Sequence, residues 1–212
     1  MKKMCRILAC VGTLFLTACT ASNNRSTQIT PASVTEQKKE TPEPKETVSP
    51  EVMEALHAYN KLLDNIDAYN FGMGDEVVGG VNYRIVYLNQ EIPQLLVTKH
   101  YDGPLIAMSK IFGYDSKTQT CIASDAIFQT DSPSQKEAST SETVGHFVLL
   151  KNHKGLVYVD KNRSTHKIVS IKLLEWQDQE LVETEISEVE LNSLSKEDKL
   201  IMYSIENRKA LE

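Results

Sequence analysis

Residues 81–112 read VNYRIVYLNQEIPQLLVTKHYDGPLIAMSKIF, and the spacing of apolar residues in this stretch decides the fold class. Val, Ile, Leu and Tyr come in short runs broken by turn formers such as Asn89-Gln90 and Asp102-Gly103, at intervals of about ten residues. Such a pattern predicts strands, not a helix, because no apolar stripe recurs every three to four positions. The same rhythm continues to the C-terminal side. It predicts strands at Val81–Leu88, Pro93–His100, Leu105–Phe112, Thr120–Phe128, Val144–Leu150, Gly155–Val159, Lys167–Trp176 and Leu181–Val189. Turns fall at Tyr114-Asp115-Ser116, Asn152-His153-Lys154 and Gln177-Asp178. Short loops join neighbouring strands most economically, so the expected sheet is an antiparallel meander of about eight strands.

Upstream of this stretch the period changes. Val52, Leu56, Tyr59, Leu63, Ile66 and Tyr69 recur at helical spacing, with Glu54, Lys61 and Asp64 on the other side. Ser49-Pro50-Glu51 supplies an N-cap, a first-turn proline and an acidic first turn, and Gly72 and Gly74 supply stop signals. At the other end, Ser195-Lys196-Glu197-Asp198 resembles a capping box that opens a C-terminal helix towards Leu211. Between strands, Asp131 to Glu142 (DSPSQKEASTSE) form a long polar loop. The expectation is one α+β domain, residues 50–212: an N-terminal amphipathic helix, the meander, and a C-terminal helix.

Residues 20–49 contain Ser, Thr, Asn, Gln, Lys, Glu and Pro with almost nothing to bury. Such a segment cannot repay its ordering entropy and is expected to be a disordered tether. Before it, Lys2, Lys3 and Arg6 precede the apolar run Ile7 to Ala18, the n-region and h-region of an export signal. That run is too short to cross a bilayer core of about 30 Å. Leu16-Thr17-Ala18-Cys19 resembles the lipobox of bacterial lipoproteins. The resemblance implies cleavage between Ala18 and Cys19, removal of residues 1–18 as a signal peptide, and diacylglyceryl lipid on the Cys19 thiol. Residues 19–49 then link that lipid to the domain, and the chain sits on the outer face of the bacterial cell membrane.

Charge and cysteines bound the partners. Loss of Lys2, Lys3 and Arg6 from 23 basic residues leaves 20 against 29 acidic ones, about minus nine. That balance disfavours nucleic acid and anionic headgroups, so the membrane partner is expected to be reached through lipid on Cys19. Of the four cysteines, Cys5 and Cys10 leave with the signal and Cys19 is consumed by lipid. Cys121 is left alone in an apolar context, with no disulfide partner and no cysteine-based zinc site.

Residues 52–128 also resemble a module frequent in extracellular lipoproteins of clostridia-like Gram-positive bacteria, most of them without known activity. There a Tyr-rich helix precedes a strand, and an acidic loop runs into Ile/Val-Pro-Glu-Leu. Here the matching stretch is Tyr87-Leu88-Asn89-Gln90-Glu91-Ile92-Pro93-Gln94-Leu95-Leu96. The family's aspartate-rich loop suits calcium. In this chain Asn89 and Gln90 stand where aspartates are expected and Gln94 replaces the glutamate. Asn89 and Glu91 are left as a candidate cation or ligand loop with a single carboxylate.

No motif assigns catalysis. Gly72-Met73-Gly74 and Gly79-Gly80 follow a helix and precede a strand, the reverse of a dinucleotide-binding loop. The five histidines contain no HExxH and no helical i, i+4 pair, although His146 and His166 could meet if their strands are neighbours. No GxSxG occurs. Glu183, Glu185, Glu188 and Glu190 read as a solvated strand face, and Tyr83, Tyr87, Tyr101, Tyr114, Tyr158 and Trp176 as packing residues or a ligand-stacking face. The expectation is a cell-surface lipoprotein acting as a non-catalytic binding module, without cofactor or metal. The alternatives are an envelope hydrolase acting on wall glycan or peptide, and an accessory substrate-binding lipoprotein of a transporter.

Overall fold

The computed structural model describes residues 48–74, 78–102, 106–131, 142–151, 155–196, 200–208 and 211. The expected leader 1–18 with Ala18, the expected lipidation position Cys19, nearly all of the expected 19–49 tether, residues 132–141 of the polar run and the expected Asn152-His153-Lys154 turn lie outside them. The described residues belong to one unit, Lys45–Glu212.

The first helix, α1, is Pro50–Asp64, with Ser49 extended at the cap and its hydroxyl accepting the Val52 N–H at 3.3 Å. Ala55, Leu56, Tyr59, Leu62 and Leu63 form its buried face. The helix stops before the expected Tyr69. Asn65 bonds the Leu62 carbonyl through its backbone N–H and the Lys61 carbonyl through its side-chain amide. An Asn competing for the last carbonyls ends a helix, and a 3-10 turn, Ile66–Ala68, follows.

The strands are β1 (Val78–Val86), β2 (Gln94–Tyr101), β3 (Ile106–Asp115), β4 (Thr120–Ala123), β5 (Phe128–Asp131), β6 (Thr143–Leu149), β7 (Leu156–Asn162), β8 (Ile168–Gln177), β9 (Glu180–Glu185) and β10 (Tyr203–Ser204), with a short helix α2 at Glu188–Ser193. They form one sheet in the order β10-β1-β2-β3-β5-β6-β7-β8-β9, with β4 also on β3. The sheet thus has ten strands, not about eight, and it is mixed, not antiparallel throughout.

The departure from the meander occurs at β5 and β6, which run parallel with Thr130 opposite Gly145. Parallel neighbours require a crossover of about a dozen residues or more, and the polar run Asp131 to Glu142 supplies that length. The expected single strand Thr120–Phe128 is split. Ala123 pairs with Phe112, but Phe128 pairs with Ser109, so two extra residues are accommodated at Ser124–Ile127. Ser124 anchors this step through bonds between its N–H and the Ile111 carbonyl, and between the Ile111 N–H and its hydroxyl.

The C-terminal expectations also need correction. The capping box forms at Ser187 and Glu190, so Glu188–Ser193 is helical instead of extending the last long strand to Val189. Ser195 accepts the Lys151 N–H and Lys196 bridges Leu150, which draws this segment to the end of β6. The expected helix towards Leu211 is replaced, in its described part, by β10 against β1 and a 3-10 turn at Ile205–Asn207. Beyond these elements Arg208 pairs with Asp64, and Leu211 exchanges two hydrogen bonds with the Asn60 side chain, tying the tail to α1.

Alternation along the strands sorts residues onto two faces. Val81, Tyr83, Leu95, Val97, Tyr101, Phe112 and Tyr114 face α1 and share a core with its buried side. On the opposite face Val86, Leu96, Ile111, Phe128, Leu149, Leu156, Tyr158, Leu174 and Trp176 form a second core drawn from both halves of the sheet. The sheet must therefore curl until β8 meets β1 to β3. Trp176 lies over Gly113, where a Cβ would strike the indole, and the Trp176 backbone N–H donates to the Leu88 carbonyl at 3.1 Å. Gly145 makes a similar allowance: its missing side chain lets Tyr158 lean across and donate to the Gln129 carbonyl at 2.7 Å. Leu191 of α2 closes a third cluster with Leu150, Val157, Val159 and Ile171.

Candidate functional site

The Asn89–Gln94 loop spends its polar atoms on itself and on β8. Asn89 adopts a left-handed conformation (φ 61°) and donates to Glu175 at 3.2 Å; Gln90 donates to the Trp176 carbonyl at 2.9 Å. Gln94 is buried, accepting from the Leu88 N–H and donating to the Ile92 carbonyl. A carboxylate there could only accept, whereas this position uses both a donor and an acceptor, which an amide supplies. Glu91 is exposed. Among the described residues no group of three or more His, Cys, Asp or Glu side chains could hold a metal ion.

The other sequence candidates stand apart. His146 lies exposed on the outer face of β6, its pKa lowered by partial desolvation and then by Lys161, whereas His166 sits in the β7–β8 turn at φ 55°. His100, half-buried on β2, shares a 2.9 Å hydrogen bond with Asn82, and burial lowers its pKa. Cys121 is a free, half-buried thiol pushed up to about 11 by burial, which favours the unreactive protonated form. Tyr83, Tyr101, Tyr114, Tyr158 and Trp176 are buried packing residues, and burial raises the Tyr158 pKa most plainly. These five form no exposed stacking face; Tyr87, just beyond β1, is partly exposed.

One open groove lies along α1 and another beside the residues that follow it. The first, of about 400 Å³, is lined by Met53, Glu54, His57, Lys61, Tyr114 and Gln119, with the Tyr114 hydroxyl 3.4 Å from Glu54. The second, also about 400 Å³, lies between the residues following α1 and strands β1 and β2; Asp67, Tyr69, Asn70, Phe71, Lys99 and Tyr101 contribute to its wall. Its distinguishing feature is Lys99, which is only 4% exposed. The Lys99 ammonium lies 4.9 Å from the centroid of the Phe71 ring and 3.3 Å from Asp67 Oδ1.

The fold puts a charge in this unusual place by strict alternation. Leu95, Val97, Lys99 and Tyr101 all face the α1 side, so Lys99 occupies a position where its neighbours are core residues. Phe71, 2% exposed, supplies the ring against which the ammonium rests, a favourable cation–π arrangement. The sequence does carry a trace of it. In LLVTKHY (95–101) a lysine interrupts the apolar positions of one strand face, a break in period that is its local sign.

Family models, curated proteins and solved structures were all compared with the chain, and none matches. Among the described residues no helix is long and apolar enough to cross a membrane.

Proposed function

We propose that this chain is an exported bacterial lipoprotein, held on the outer face of the cell membrane by lipid on Cys19, whose 50–212 domain binds a ligand without transforming it. Anchoring is supported by the charged start, the short apolar run and Leu16-Thr17-Ala18-Cys19. Two or three acyl chains, at about 0.8 kcal/mol per buried methylene, hold a protein on a bilayer where one chain binds only reversibly.

The observation that carries binding is the Lys99 groove: a nearly enclosed ammonium beside an aromatic ring, facing a space of about 400 Å³. Small-ligand sites take this form, concave and furnished with few polar groups. Among its described residues the wall presents Asp67, Asn70 and Lys99 but no serine, threonine, cysteine or histidine.

Expression in a bacterium that processes lipoproteins, with radiolabelled palmitate, tests the anchor. Wild type should carry label and sediment with membranes, and Cys19→Ala should do neither; label retained by the variant would overturn the assignment. Incubation of the purified chain with isolated cell wall tests the second half. Soluble glycan or peptide fragments released with turnover would make it a hydrolase, whereas wall left uncut fits binding.

A further inference from the structure

Lys99 carries three N–H donors and, among the described residues, makes one hydrogen bond, to Asp67 Oδ1 at 3.3 Å. That bond is long for a charge-assisted contact, which settles near 2.8 Å when geometry is free. The two partners are also unequally placed: the Lys99 side chain is 5% exposed and that of Asp67 87% exposed. The ammonium is therefore held by the sheet and the Phe71 ring, while the carboxylate can turn into water at little cost. A cation fixed on the wall of a groove, with a displaceable carboxylate as its partner, is a seat for a second carboxylate.

Resting on the reading of residues 50–212 as a binding module, we propose that the groove between the Ile66–Ala68 turn and β2 is a carboxylate-binding site, in which the Lys99 ammonium exchanges Asp67 for the carboxylate of a small acid or a peptide chain end. Two features define the class. The single fixed cation selects one carboxylate, and among the described residues of the wall a polyanion finds no second one. The volume, about 400 Å³, accommodates an acid or a few terminal residues, not a folded partner. Asn70, whose side-chain oxygen accepts the Gly72 N–H at 2.6 Å, stands beside the seat and retains its amide donors for an adjoining carbonyl.

The test is calorimetric titration of the full chain, in detergent and at low salt, with acetyl-trialanine bearing a free carboxylate, the same peptide as its carboxamide, and acetate alone. The free-carboxylate peptide should bind saturably, and the carboxamide at least tenfold more weakly. Acetate matching the peptide would assign the site to small acids, and peptide preference would assign it to chain ends. Lys99→Met should abolish binding while Lys172→Met leaves it intact, with thermal unfolding confirming that both variants fold. Asp67→Asn removes the competing internal carboxylate and should tighten binding severalfold, an effect that a merely structural ion pair would not produce. Equal affinity for carboxylate and carboxamide, absence of saturable binding by either acid, or weaker binding by Asp67→Asn would each overturn the assignment. Those results would leave the wall-turnover outcome untouched, so the carboxylate assignment can fail while the groove remains open to a ligand of another class.

Discussion

Lys99 and Lys172 both sit on interior strands, one in each half of the sheet, and their surroundings differ as the halves do. In the first half β2 is buried on both faces over most of its length, because α1 and the residues after it cover one side and the second core the other. Its lysine is enclosed, set against Phe71, and paired at 3.3 Å with a carboxylate that stays in water. In the second half β8 alternates between buried and partly exposed positions and β9 is largely open. There Lys172 meets Glu183 at 2.6 Å, with 34% and 27% of the two side chains exposed. The same residue type is thus a surface ion pair in one half and a fixed interior charge in the other. What separates them is how far the covering layer reaches over the lysine's own position: β8 is covered at Ile171, Leu174 and Trp176, but Lys172 stays partly open.

The sharpest way to break this comparison is to remove the covering layer. Phe112, fully buried under Tyr69 and Phe71, joins the helix side to the sheet. Phe112→Ala should cost about 3–5 kcal/mol in denaturant unfolding, the range for deleting a buried aromatic ring. A loss under about 1 kcal/mol would mean that the first half is no better packed than the second.

Next in size is Gly145→Ala on the other core. The added methyl collides with Tyr158, which would have to give up its bond to the Gln129 carbonyl, so a loss of about 1–3 kcal/mol is expected. An unchanged unfolding midpoint would show that the parallel β5–β6 junction is loose.

The ion pairs come third, and here the asymmetry itself is predicted. Asp67→Asn leaves a buried ammonium without its carboxylate, whereas Lys99→Met leaves only a solvated carboxylate. The first should cost about 1 kcal/mol after allowance for Asp67's exposure, and the second less or nothing. Glu183→Gln, across a half-exposed pair, should cost about 0.5 kcal/mol or less. Equal losses from both partners of the first pair would contradict the reading of Lys99 as the fixed member.

The smallest effect concerns acid. Burial, opposed in part by Asp102, lowers the His100 pKa below its ordinary value near 6.5. The unfolded chain then binds the proton more readily than the folded one. His100's contribution is therefore complete above about pH 6.5 and is lost as pH falls from there towards the folded-state pKa. Urea unfolding should show a shallower decline between pH 7 and 5 in His100→Gln than in wild type, and identical slopes would refute it.

Much of this architecture is legible in the residues. The helix start at Ser49-Pro50 and most strands lie within a few positions of where periodicity puts them, because burial on one face leaves an alternating trace. The turn at Gln177-Asp178 is displaced by one residue: Asp178 and Gln179 both take positive φ, as a two-residue hairpin turn requires. Pairing partners were harder to read. The DSPSQKEASTSE run is visible, but nothing local says that β6 returns parallel to β5 instead of forming a hairpin. At the C-terminal end the better capping box, Ser187 to Glu190, lay inside a run that alternation assigned to strand. The Lys99 groove is hardest to read because its parts, Asp67, Phe71 and Lys99, are brought together only when the residues after α1 fold over β2.

All of these contrasts concern a domain proposed to work at the end of a lipid-anchored tether, and mass spectrometry of the N-terminal peptide from a membrane fraction tests that premise most directly. The account predicts a mature chain beginning at Cys19, with residues 1–18 absent and the mass of a diacylglyceryl thioether on its sulfur. A chain that retains residues 1–18 with an unmodified Cys19 thiol would contradict it.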